Sequence, residues 1–102
     1  MYKGTTPTLT ITFDESVDFS EAEHVVVTFA TDYHKVIAEK SDSELTIADN
    51  KIIINFTQEE TLSMKPGAML VQVNILYSDG LRVCSDIGTI HWIDNLKNEV
   101  MT

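Results

Sequence analysis

The chain has 102 residues, 43% of them hydrophobic and 23% charged, with four Gly and two Pro, which is the composition of one ordinary globular domain. Seven Lys plus Arg against sixteen Asp plus Glu leave a net charge of −9, spread along the chain, so nucleic-acid backbones and anionic membrane surfaces are poor partners. A single cysteine, Cys84, leaves no intrachain disulfide framework, and with no apolar signal core or bilayer-length run the expectation is a cytosolic origin.

Thr8–Phe13 alternates Leu9, Ile11 and Phe13 with threonines, which predicts a half-buried strand. In the acidic stretch that follows, Ser20 and Glu23 have the spacing of a capping box and predict one helical turn before the second strand. His24–Ala30 and Lys35–Lys40 are strands on either side of Thr31-Asp32-Tyr33-His34. As a hairpin they would set Phe29 opposite Val36 and Val27 opposite Ala38. The same loop could instead carry the chain from one sheet to the other.

Leu45–Ile47 and Lys51–Phe56 meet through Asp49-Asn50, a pair that tolerates a tight hairpin turn, with Ile47 opposite Ile52 and Leu45 opposite Ile54. Thr57 and Glu60 form a second capping box, so Thr57–Met64 is predicted as a short helical turn with Leu62 and Met64 inward. Pro66-Gly67 ends it. Ala68–Tyr77 then places Met69, Val71, Val73, Ile75 and Tyr77 on one face, the pattern of a central strand.

At Ser78-Asp79-Gly80, a three-residue loop with left-handed Gly80 keeps the apolar faces together, pairing Ile75 with Val83 and Val71 with Ile87. The apolar phase then passes from odd positions (Val83, Ile87) to even ones (Ile90, Trp92), which predicts a bulge at Gly88. Residues 94–102 are a polar tail. About seven strands and one helical turn in a single domain over residues 1–102 predict an all-β, antiparallel, immunoglobulin-like β-sandwich.

Side chains with chemical potential are scattered. His24, His34, His91 and Cys84 are suitable zinc ligands, yet none stand at short zinc-site spacings. Cys84 and His91 are about 23 Å apart along a strand, too far for a nucleophile and its base. The acidic pairs Asp14-Glu15, Glu59-Glu60 and Asp42/Glu44 lack the glycine-containing loop of a calcium hand. The expectation is therefore no catalysis, no metal and no cofactor. One feature exceeds background: Val26, Ile37, Ile53, Leu70 and Leu76 fall on the outward phase of their strands and form a candidate protein interface, unless they are isolated or covered by the tail. Trp92 is either a core plug or an anchor of that interface. As an alternative to protein binding, Trp92, Tyr33 and Tyr2 could stack a carbohydrate.

Lys3-Gly4-Thr5-Thr6-Pro7-Thr8, Val17-Asp18-Phe19-Ser20 with Val25–Phe29, and above all Phe56-Thr57-Gln58-Glu59-Glu60-Thr61-Leu62 carry a family resemblance. The chain, over roughly residues 3 to 93, resembles small β-sandwich proteins of Firmicutes phages and prophages, similar to the N-terminal domain of baseplate upper proteins. That resemblance implies a structural or tail-assembly protein, bound to other copies or to other tail proteins, made in the bacterial cytoplasm and destined for the virion. It carries over no catalytic residues, and Thr57–Leu62 transfers only as a corner element.

Overall fold

Period-two alternation of apolar residues produces strands throughout. The computed structural model describes residues 1–32 and 35–102. Its strands are β1 (Thr8–Thr12), β2 (Ala22–Asp32), β3 (Lys35–Ser41), β4 (Thr46–Ala48), β5 (Lys51–Asn55), β6 (Gly67–Tyr77), β7 (Arg82–Cys84) and β8 (Gly88–Trp92), with a 3-10 turn at Asp42–Glu44 and a short α-helix, α1 (Gln58–Leu62). Three strands form one antiparallel sheet in the order β1-β5-β4. The other sheet runs β3-β2-β6, with β7 and β8 pairing successive parts of β6. Reading β1, β5 and β4 as B, E and D, and β2, β6 and β7/β8 as C, F and G, gives the immunoglobulin-like arrangement. No described strand occupies the A position beside β1.

The core lies between the sheets. Val25, Val27 and Phe29 of β2, Met69, Val73 and Ile75 of β6, and Ile90 and Trp92 of β8 face Ile52 and Ile54 of β5, all buried. Phe56 sits at the centre of an aromatic row. Its ring meets Phe29 at 5.6 Å and Trp92 at 5.9 Å, both edge to face, the geometry that ring quadrupoles prefer.

Where turn chemistry and apolar phase agree, the expected pairing is present. Ile47 lies opposite Ile52 across a turn in which Asp49 takes a φ of 55°. Leu45 is buried, but it precedes β4 and has no partner in the ladder. Gly80 has a φ of 88° and closes the three-residue loop, with Ile75 opposite Val83 and the Tyr77 amide donating to the Leu81 carbonyl at 2.8 Å. β6 is central, flanked by β2 on one side and by β7 and β8 on the other.

Four expectations are corrected. The segment before β2 is a turn and contains no helix: Asp18 accepts the Ser20 amide at 2.9 Å and the Ala22 amide donates to the Phe19 carbonyl. That carboxylate takes the amide that a capped helix would have used. Secondly, β2 and β3 do pair as a hairpin, but Phe29 faces Ala38 and Val27 faces Lys40, with register shifts on both sides of Ala30. Ile37 is the extra residue on β3, so Val36 turns to the outer face and is 57% exposed.

Thirdly, the phase change in the last strand is made before Gly88. The Ser85 amide donates to the Val73 carbonyl, while Ser85 Oγ accepts the Val73 amide in place of a backbone carbonyl. One residue is thereby added between the Asn74–Cys84 and Val71–Gly88 pairs. This divides the predicted strand into β7 and β8 and turns Ile87 outward, which accounts for eight strands instead of about seven. Fourthly, the residue that α1 buries completely is Thr61; Met64 is also buried, whereas Leu62 is only half-buried.

The cap of α1 is as expected. Thr57 Oγ1 accepts the Glu60 amide at 3.2 Å, and Glu60 Oε1 accepts the Thr57 amide at 2.8 Å. The tail docks beside it: Gln58 and Met101 exchange two hydrogen bonds, and Asn95 Nδ2 donates to the Lys3 carbonyl. The first residues run parallel to Ile93 at the end of β8, where the Lys3 amide donates to the Ile93 carbonyl.

Candidate protein interface

Antiparallel sheets often keep one face to solvent, and polar residues normally line it. On the outer face of the five-stranded sheet, β2 and β6 contribute Val26, Thr28 and Ala30 beside Leu70, Gln72, Asn74 and Leu76. Two shallow depressions result. One of about 490 Å³ includes Val26 and Leu76 with His24, Glu39 and Arg82 at its margins. The other, about 150 Å³, lies between Ala30, Val36, Leu70 and Ile87. A Thr28–Gln72 pair separates them.

The six candidate interface residues therefore part company. Val26, Leu70 and Leu76 share this face, each half-buried. Ile53 lies on the opposite side of the molecule, between Thr10 and Thr46 on the outer face of the three-stranded sheet. Ile37 is at the edge bulge, in a hollow with Ser63, Met64 and Lys65. Trp92 is 1% exposed beside Phe56 and belongs to the core. Val36 and Ile87 were missed because both owe their outward direction to bulges that hydrophobic phase alone does not locate. The tail hydrogen-bonds to Gln58 of α1 and to Lys3, and none of its residues lines either depression.

A second apolar opening lies between the sheets. Phe13 and Val17 face Ile75, Tyr77, Leu81 and Val83 across a cleft of about 510 Å³, with Leu81 57% exposed. The three-stranded sheet is too narrow to cover this end of the larger one. As for carbohydrate stacking, the burial of Trp92 removes one platform, Tyr2 is exposed, and Tyr33 lies outside the described residues.

Among the described residues, no three His, Cys, Asp or Glu side chains gather as a metal site would require; His34 lies outside them. His24 Nδ1 stands 3.2 Å from Asp42 Oδ2 in an exposed pair. Cys84 is an exposed free thiol. It lies opposite Asn74, whereas His91 lies opposite Ala68, six residues away along β6 and so about 20 Å distant. Among the described residues, no helix is long and apolar enough to cross a membrane.

The carboxylates are engaged in local structure. Asp14 and Asp18 are held below their ordinary values by the Ser16 and Ser20 amides, reinforced by those hydroxyls. Asp42 is lowered first by the Val25 amide and then by His24. For Glu60, partial burial pushes the carboxyl up, but hydrogen bonds from Lys40 and Thr57 and the charge of Lys40 outweigh it and hold the value below 4.5. Lys40 Nζ lies 2.8 Å from Glu60 Oε2 and 5.6 Å from the Phe56 ring centroid. An inward lysine thus lays its stem on the core and extends its charge to the α1 cap.

A carboxyl with a lowered folded value adds stability above its unfolded value, and that share is lost as pH falls through the folded one. All four shifts have this sign. Urea midpoints should therefore fall on acidification from about pH 6 to about pH 3. Glu60→Gln should reduce that dependence and lower stability at neutral pH by about 1 kcal/mol or less, since solvent screens this partly exposed pair.

The chain is thus an all-β, sandwich-like protein whose most distinctive surface is an apolar-spotted sheet face. No protein-family model, curated protein or solved structure matches it.

Proposed function

We propose that the protein is a non-enzymatic structural or assembly subunit of phage-tail, baseplate-like type, acting through contacts with further copies or with neighbouring tail proteins. The observation that carries this reading is the outer face of the five-stranded sheet, where Val26, Leu70 and Leu76 are joined by Ala30, Val36 and Ile87. Apolar side chains on a face that could have been wholly polar are the usual mark of a contact surface. The resemblance of Lys3–Thr8, Val17–Ser20, Val25–Phe29 and Phe56–Leu62 to baseplate-type sandwiches supports the class, and the net charge of −9 favours protein over nucleic acid or membrane. Synthesis in the bacterial cytoplasm followed by entry into the virion belongs to the same proposal.

The test is co-expression with the products of adjacent tail-morphogenesis genes, followed by pull-down and a mass measurement. A complex that survives purification is expected. Leu70→Lys should weaken it tenfold or more, a change of about 1.4 kcal/mol, without altering Trp92 fluorescence. Failure of every neighbouring product to bind, or the absence of tail genes beside this one, would overturn the phage assignment.

A further inference from the structure

The edges of the two sheets are unequally protected. β3 carries two register shifts together with Lys35, Glu39 and Lys40, β4 has only three residues, and the β7/β8 edge is interrupted by Ser85–Ile87. Each of these devices discourages pairing with another chain. β1 has none of them. It pairs with β5 without a register shift, and no charged residue occurs from Thr5 to Phe13.

Its free side can be identified from the ladder. The Phe13 amide donates to the Asn50 carbonyl, and the Phe56 amide donates to the Pro7 carbonyl. In an antiparallel pair these bonds alternate along the strand, so Pro7, Leu9, Ile11 and Phe13 direct their backbone polar groups at β5. Thr8, Thr10 and Thr12 direct theirs away from it. Among the described residues those outward groups meet no backbone partner. In the immunoglobulin-like arrangement a first strand would lie there; here residues 1–3 run beside Ile93 on the other sheet.

We propose that β1 is a self-pairing edge, at which two copies of the chain join antiparallel about Thr10 and merge their three-stranded sheets into one. The strand is self-complementary in that register. Thr8 meets Thr12, Thr10 meets Thr10 and Thr12 meets Thr8, and these three pairs each exchange two backbone bonds. On the core-facing side Leu9 meets Ile11, and both are only half-buried in the single chain. Charge favours the same place: two copies each carrying −9 repel over most of their surfaces, whereas β1 itself carries no charge, with Asp86 an acidic neighbour at its Ile11–Phe13 end. Added salt therefore strengthens this association by screening the remainder. The inference deepens the assembly reading and rests on it for its biological purpose only.

The direct test uses the unmodified protein. Amide exchange at Thr8, Thr10 and Thr12 is expected to be fast in dilute solution and to slow at least tenfold as concentration rises to about 1 mM, while the apparent mass approaches twice 11.4 kDa. Thr10 is exposed on the outer face, so Thr10→Lys and Thr10→Glu can be made without disturbing the core. Each alone should weaken the dimer about tenfold by placing like charges across the twofold axis, and mixing the two variants should restore it. A mass of one chain at all concentrations, or unprotected amides at Thr8, Thr10 and Thr12 in a dimer, would overturn the proposal. If Leu70→Lys abolishes the dimer while both Thr10 variants leave it intact, the edge is rejected and the face-mediated assembly reading stands. Failure to bind any tail protein would leave the edge dimer intact and reject only the phage assignment.

Discussion

Replacing Phe56 with Ala is expected to remove about 3–5 kcal/mol of stability, the range found for a large aromatic side chain deleted from a packed core. Phe56 is 4% exposed and touches two other aromatic rings at once, Phe29 from β2 and Trp92 from β8. Each edge-to-face contact adds about 0.5–1.5 kcal/mol beyond the area buried, so the loss should lie toward the upper end of that range. A domain of this size typically has about 5–15 kcal/mol in total. The variant should accordingly be partly unfolded in buffer or have its urea midpoint lowered by about 2–4 M. Trp92 fluorescence reports the change directly, because the indole is beside the deleted ring. Leu96→Ala is the control: its side chain is fully exposed, and its effect should stay within about 0.5 kcal/mol. A loss below about 1 kcal/mol for Phe56→Ala would be incompatible with this aromatic row.

The same residues show which features a sequence can disclose. The β4–β5 hairpin and the β6–β7 loop were legible because two independent signals coincided: Asp49-Asn50 and Gly80 fit the turns, and the apolar residues fall in phase across them. The α1 cap was legible for a similar reason, since Thr57 and Glu60 need only local geometry. Features that depend on distant strands were hidden. The bulge at Ile37 turns Val36 outward while Ala38 and Lys40 keep the inward phase, and only the folded chain brings the Lys40 charge to Glu60 of α1 at 2.8 Å and to the Asn55 carbonyl at 3.4 Å. Ser85 looks like any loop serine until β6 is placed beside it, when its hydroxyl is seen to replace a carbonyl of the ladder.

The candidate surface was legible to the same extent. Outward phase correctly places Val26, Leu70 and Leu76, yet phase cannot say which strands share a sheet, and Ile53 proves to be on the opposite face. Nor does alternation distinguish an edge strand from a central strand with one buried face. The uncharged run from Thr5 to Phe13, within a chain carrying −9, was the available sign of an unprotected edge.

Replacing Thr61 with Val should cost about 1–3 kcal/mol, although the two side chains have nearly the same shape. Thr61 is completely buried, and its hydroxyl donates to the Thr5 carbonyl at 2.7 Å, with the Gln58 carbonyl at 3.3 Å. A hydroxyl has one proton to donate, and the shorter contact defines its principal partner. The bond therefore ties α1 to the segment that enters β1, two residues before the Pro7 carbonyl accepts the Phe56 amide. Valine keeps the volume and removes the donor, leaving the Thr5 carbonyl without it. Alanine removes volume as well, and the difference between the two variants in urea separates packing from hydrogen bonding. If hydrogen bonding dominates, Val and Ala should destabilise about equally, and exchange of the Phe56 amide should accelerate in both. A Thr61→Val protein as stable as the parent would show that water or another donor satisfies Thr5, and that the entry to β1 is held by Pro7 and Phe56 alone.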